Sequence, residues 1–173
     1  MDTKFTYTWN VWYHMIKYDW SIDGYQKIYS INNGTDFWKL YNNWNCLGGV
    51  TGKHFFLMKN DIMPIWEDTK NMSGGCWSFK ISDSMTDELW EDLSVLLVTN
   101  ELVTGTNAVG LSIALKKNNT SVVKIWNDSS LNHSIKHINK DILKKWGTDI
   151  IYIAHMAENT TSAPSAKYTT IAV

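Results

Sequence analysis

The residues with most chemistry to offer stand side by side at Trp66 and Glu67, inside the stretch from Met63-Pro64-Ile65 to Gly74-Gly75-Cys76-Trp77. Trp presents a flat π-face and Glu accepts two parallel hydrogen bonds, so the pair suits a flat, cationic or N–H-rich ligand such as an alkylated purine. Pro64 lacks a backbone donor and Gly74-Gly75 tolerate positive φ, which predicts a surface loop, the kind of segment where binding concentrates. An indole tucked into the core beside a solvated turn acid satisfies the same two letters. A second loop indole, Trp20, lies in Asp19-Trp20-Ser21-Ile22-Asp23-Gly24. Both loops are expected to leave the same side of a sheet, where two rings could sandwich one base. Stacking contributes about 1–3 kcal/mol per base and a desolvated cation–π contact about 2 kcal/mol, so such a sandwich favours a positively charged ring by a decade or more. Glu67 could then accept from two N–H groups of a guanine edge, which adenine does not offer.

Catalytic chemistry finds no comparable set. His133 and His137 stand i, i+4 on a predicted helix, but no HExxH motif or third ligand accompanies them. His14, His54 and His155 are isolated in sequence. No GxSxG, phosphate-loop or GxGxxG pattern occurs, and no nucleophile, base and orienting group can be nominated together.

The 173 residues fit one domain, residues 1–173, with a sizeable core. Lys and Arg number 16 against 17 Asp and Glu, a net charge of -1, which excludes the global basic footprint of a non-specific binder of long nucleic acid. Ten Trp, eight Tyr and five Phe exceed what a core of this size needs, so some rings are expected at the surface for stacking. No leader pattern or apolar run of roughly 18–20 residues is present, so a cytoplasmic protein without a membrane span is expected. Cys46 and Cys76 have neither CxxC nor zinc spacing and are expected to be reduced thiols.

These side chains need a scaffold, and the patterning supplies one. Residues Thr6 to Ile16 alternate, with Tyr7, Trp9, Val11 and Tyr13 on one face and Trp12 on the other, as a half-buried strand does. Further strands are predicted at Tyr25–Ile31, His54–Met58, Trp77–Ile81, Ala108–Leu115, Val122–Trp126, Ile150–Met156 and Tyr168–Val173. A polar loop spans Glu158–Lys167. Helices are predicted at Asp36–Asn43 behind a Thr35 cap, at Met85–Thr99 with Leu89, Trp90, Leu93, Leu96 and Leu97 as its stripe, and from a Ser130 cap through Lys145 with Leu131 turned inward. Eight strands joined mostly by short turns, with three helices inserted singly, predict an α+β fold with an antiparallel sheet and helices on one face.

The order Trp9-x-x-Trp12, Trp20, Asp36-Phe37-Trp38-x-Leu40-Tyr41-Asn42, Met63-Pro64-Ile65-Trp66-Glu67-Asp68, Gly74-Gly75-Cys76-Trp77, Trp90 and Lys124-Ile125-Trp126 resembles the translation initiation factor 4E family of mRNA cap-binding proteins over essentially the whole chain. The resemblance implies a curved eight-stranded antiparallel sheet with three helices on its convex face, no catalysis and no cofactor or metal. It implies that Trp20 and Trp66 stack on 7-methylguanosine, that Glu67 reads the guanine N1–H and N2–H, and that Trp126 meets the N7-methyl. Tyr25 is a nearby competitor of Trp20 for the stacking position, because the loop lengths around Trp20 differ from the family pattern. The cap phosphates would fall to Lys116 and Lys124, with Lys70, Lys117 and Lys167 as further candidates, because Cys76 stands where the family places an Arg. A helical scaffold or repressor peptide would dock around Trp38, where Gly34, Glu91, Asp92 and Val95 occupy the matching positions. An acid such as Glu91 at an apolar docking point costs desolvation, so the chain reads either as an initiation factor or as a cap-binding repressor or decoy that does not engage the usual scaffold.

Overall fold

The computed structural model describes residues 2–15, 18–46, 48–156 and 169–170. The first strand, β1 (Lys4–His14), keeps its period-2 alternation: Trp9 and Val11 are fully buried on one face, with Tyr7 and Tyr13 packed beside them. Trp12 lies on the other face. There follow β2 (Tyr25–Asn33), α1 (Gly34–Cys46), β3 (Phe55–Lys59), β4 (Gly75–Ser82), α2 (Asp83–Val98), β5 (Ala108–Lys116), β6 (Thr120–Asn127), α3 (Lys140–Trp146), β7 (Ile151–Ala154) and the two described residues of β8 (Thr169–Thr170). They form one curved sheet in the order β2-β1-β3-β5-β6-β4-β7-β8, and every described pairing is antiparallel.

Both faces of the central strands are apolar, because the two layers on them differ. On the convex face Leu57, Trp77, Phe79, Leu111, Ile113, Val123 and Ile125 pack against Phe37, Leu40 and Trp44 of α1, Leu89, Trp90, Leu93 and Leu97 of α2, and Ile142 and Trp146 of α3. The concave face has a smaller cluster of Phe56, Met58, Ile62, Cys76, Val109 and Trp126, with Trp12 and Tyr25 at its margin. Ile62 follows β3 directly, so the long β3–β4 connection turns across the concave face as soon as the strand ends.

Three local expectations change. Asn33, not Thr35, caps α1: its Oδ1 accepts from the Asp36 amide at 2.8 Å, while the Asp36 carboxylate accepts from the Asn32 amide at 3.0 Å. The predicted helix from Ser130 is broken into 3-10 turns at Ser130–Asn132 and Ile135–His137 before α3 begins behind an Asn139 cap. Ile138 there is extended and bridges to Val103, so Ile135 and Ile138 reach the core without a continuous helix. Leu131 is 79% exposed and not inward. Gly74 and Gly75 do not use left-handed backbone. They are required because a Cβ at Gly74 would lie 1.8 Å from the Asn127 carbonyl oxygen, and one at Gly75 2.5 Å from that of Ile153. The predicted Glu158–Lys167 loop lies outside the described residues. No helix among the described residues is long and apolar enough to cross a membrane.

Candidate functional site

The β3–β4 connection holds its own shape. Asp68 accepts from the Met63 amide with one carboxylate oxygen and from the Lys70 amide with the other, both at 2.9 Å. Asn71, fully buried, donates from Nδ2 to the carbonyls of Met63 at 2.9 Å and Ile65 at 2.7 Å. These bonds cinch the chain into a compact lobe whose apex carries Trp66, 47% exposed, and the exposed Glu67. The core-packed alternative for Trp66 is thereby excluded. Sequence reading missed Asp68 and Asn71; an Asp two residues before a backbone donor is the Asx-turn signal for the first, and nothing local marks the second.

The loop bearing Trp20 leaves the opposite end of the β1–β3 ladder, since Tyr13 pairs with Phe55 and Trp9 with Lys59. The expectation that the two loops leave the same side of the sheet is therefore corrected: an antiparallel pair sends its C-terminal ends in opposite directions. Glu67 nevertheless acts at the root of the Trp20 loop. Burial, and then the Glu67 charge, hold the Tyr25 phenol above its ordinary value. Tyr25 opens β2 and packs edge-on against Phe56 at 5.4 Å. Trp20 is 55% exposed and lies parallel to His14, ring centroids 4.0 Å apart.

Between the loops lies the concave floor. Trp126 is buried there, donating from Nε1 to the Ser112 hydroxyl at 2.9 Å, with His155 at 4.8 Å and Phe56 at 6.4 Å between ring centroids. Cys76 is paired across the ladder with Trp126, and its Sγ lies 3.1 Å from His155 Nε2. Burial pushes the Cys76 thiol up to about 12, so it stays protonated and donates to that nitrogen. His155 is then left with Nδ1–H, which donates to the Asn71 carbonyl at 2.7 Å. Burial, with the Lys124 charge as a smaller contribution, holds His155 below its ordinary value.

Lys124 sits opposite Ser78 and Ser112 and acts electrostatically on Cys76 and His155, which places its charge beside the floor. Lys116, at the β5–β6 hairpin, lowers His54 after burial and the nearby His14. Lys117 and Lys70 are exposed at loops, and Lys167 lies outside the described residues. His133 and His137 do not share a helix: each faces a backbone carbonyl through Nδ1, that of Ser130 at 3.1 Å and that of Thr104 at 2.8 Å. Among the described residues no group of three His, Cys, Asp or Glu could hold a metal ion.

On the helical face Trp38 is 50% exposed, edge-on to Phe37 at 5.1 Å and Tyr41 at 5.9 Å. Gly34 starts the same helix. Glu91 on α2 is exposed, and Val95 is half-buried against the core. Asp92 is engaged within the chain, accepting from Lys145 Nζ at 2.7 Å and from Trp146 Nε1 at 2.8 Å, while Lys145 also meets Glu88 at 2.7 Å.

Solved structures share this architecture. The complex of C. elegans eIF4E-3 with the 4E-binding protein Mextli and cap analog has a TM-score of 0.77 at 22% identity over 90% of this chain and 94% of that one. The Ascaris suum eIF4E-3 structure with m7G cap gives 0.73 at 23% identity, covering 93% and 96%. The schistosome eIF4E complexed with m7GpppG and 4E-BP gives 0.76 at 22% identity, covering 97% and 98%. Among curated relatives, eukaryotic translation initiation factor NCBP of Arabidopsis thaliana is 26% identical over 151 residues, 83% of this chain and 67% of the relative. Its namesake of Oryza sativa subsp. japonica is 28% identical over 126 residues, 71% of this chain and 54% of the relative. The chain thus spans about half to two thirds of the length of these relatives. The family model described as eukaryotic initiation factor 4E matches residues 4–170, and the chain belongs to that family.

Proposed function

We propose that this chain binds the 7-methylguanosine cap of mRNA and acts in translation initiation, in the cytoplasm and without catalysis. In this reading Trp20 and Trp66 stack on the two faces of the base, Glu67 accepts from guanine N1–H and N2–H, and Trp126 lines the floor by the N7-methyl. The observation that carries it is the braced lobe that leaves Trp66 and Glu67 side by side and exposed. Structural relatives solved with m7G cap, m2,2,7G cap and m7GpppG support the ligand class. Lys124, whose charge acts on Cys76 and His155, is the first phosphate candidate in this reading, with Lys116, Lys117, Lys70 and Lys167 as the others. Cys76, buried and bonded to His155, takes no part in holding phosphate.

The test is a fluorescence titration. 7-Methylguanosine triphosphate quenches the tryptophan emission strongly and guanosine triphosphate far less; equal responses would exclude a cationic sandwich.

A second reading, a cap-binding repressor or decoy, is favoured by the dorsal face. Asp92 is already bonded to Lys145 and Trp146, and Glu91 stands exposed beside it. Capture of a helical scaffold or repressor peptide by the wild type but not by Trp38→Ala supports the initiation-factor reading; capture by neither supports the repressor.

A further inference from the structure

A lone indole at a loop tip would sample several rotamers, and ordering it would cost binding energy. Trp20 is not in that position. The His14 imidazole lies against one of its faces with centroids 4.0 Å apart and planes only 8° from parallel, which covers that face, while His54 meets the same indole edge-on with centroids 5.8 Å apart and Trp20 stays 55% exposed. His14 is itself buried and fixed at the end of β1, where its backbone amide donates to the His54 carbonyl at 3.0 Å. Its ring Nε2 donates to the carbonyl of Asp19, the residue before Trp20, at 2.6 Å. Asp19 in turn accepts from the Ser21 amide at 2.9 Å and the Ser21 hydroxyl at 2.5 Å, closing an Asx turn around the indole. The approach is so close that a Cβ at Gly24 would lie 2.1 Å from the Asp19 carbonyl oxygen and 3.2 Å from His14 Nε2, so only glycine fits there.

We propose that His14 is a positioning residue for the cap slot: it backs Trp20, fixes the indole plane, and leaves a single face on which a methylated guanine can stack. The proposal rests on the reading of Trp20 as a stacking partner. The base then joins a column of imidazole, indole and purine.

The test uses the full chain and two readouts. In the first, 7-methylguanosine triphosphate is titrated into the wild type, His14→Ala and His14→Phe. His14→Ala weakens binding roughly three- to tenfold, the scale of one immobilised side chain. His14→Phe keeps a flat ring but gives up the Asp19 bond, and recovers binding to within about twofold of the wild type. In the second, acrylamide quenching of the tryptophan emission is followed without ligand, with Trp20→Phe giving the signal of the other indoles. His14→Ala frees the covered face of Trp20 and is quenched more steeply than the wild type, whereas His14→Phe is quenched as the wild type is. Wild-type quenching in His14→Ala, or His14→Ala binding at wild-type strength, overturns the assignment of His14. Quenching that rises in His14→Ala in a chain whose wild type does not respond to the nucleotide overturns the cap reading itself, so the two failures are told apart.

Discussion

His155 donates its Nδ1–H to the carbonyl of Asn71, 2.7 Å away, and so ties the end of β7 to the loop that carries Trp66 and Glu67. The other ring nitrogen accepts from Cys76, so both nitrogens are committed to the neutral form.

Acid should therefore loosen this tie. The folded state holds His155 below its ordinary value, chiefly by burial, whereas in the unfolded chain it titrates at about 6.5. Stability from the neutral ring is fully present above that value and is lost as pH falls from it toward the depressed folded value, because only the unfolded state takes up the proton. His54, also lowered by burial first, acts in the same direction. Urea midpoints should fall between pH 7.5 and pH 5, and His155→Gln should flatten that slope. An identical slope in the variant would remove His155 from the account.

Asn71→Ala should cost roughly 1–3 kcal/mol, because it leaves the carbonyls of Met63 and Ile65 without their buried donor. The loss extends beyond stability, since the same two bonds shape the lobe under Trp66. Urea unfolding should show the destabilisation, and cap-analogue affinity measured well below the midpoint should fall as well. Weakened folding with unchanged affinity would mean that the lobe keeps its shape without Asn71.

The two thiols should separate cleanly. Cys46 is exposed, whereas Cys76 is buried, pushed up to about 12 and bonded to His155. The folded chain should take up one equivalent of an alkylating reagent at pH 7.5 and a second only in urea. Rapid reaction of both thiols in the native state would show that the Cys76 site opens to solvent.

What the sequence revealed and what it concealed divide along the range of the interactions. Trp9, Val11 and Trp12 sort themselves to opposite faces of β1 because alternation is a local property. Leu89, Trp90, Leu93 and Leu97 of α2 are legible for the same reason, with a period of 3.6. Pro64 and the Gly74-Gly75 pair mark the loop, but the reason for the glycines is a long-range approach to Asn127 and Ile153 that no nearby residue announces. The break before α3 depends on a bridge from Ile138 to Val103, and an unbroken apolar pattern hides it. At the site, Trp66 and Glu67 stand out by type, whereas Asn71 and His14 act across loops of a few residues whose folded path no pattern announces, and His155 becomes visible only when the end of β7 is brought to the β3–β4 connection.

Glu67→Ala should remove discrimination by the guanine edge while sparing stacking. A carboxylate that accepts two hydrogen bonds contributes about 1.5–3 kcal/mol for each, so affinity for 7-methylguanosine triphosphate should drop by two decades or more. Glu67→Gln, with a single acceptor oxygen, should fall between the two. Calorimetry with guanine and adenine nucleotides methylated on the purine separates the effects. Retained preference for guanine in Glu67→Ala would assign the base readout to another group.

The dorsal face permits a test that separates docking from folding. Trp38 has half its surface in solvent, so Trp38→Ala should leave the urea midpoint and cap affinity close to wild type while abolishing capture of a helical peptide. Asp92→Ala should behave in the opposite sense. Its carboxylate holds the Trp146 indole and Lys145, so the substitution leaves the Trp146 Nε1–H without its acceptor and should destabilise the α2–α3 contact by about 1–3 kcal/mol. If peptide capture instead falls in Asp92→Ala with no change in unfolding, the carboxylate exchanges its internal partners for the peptide, and Lys145 is the residue whose release would have to be shown.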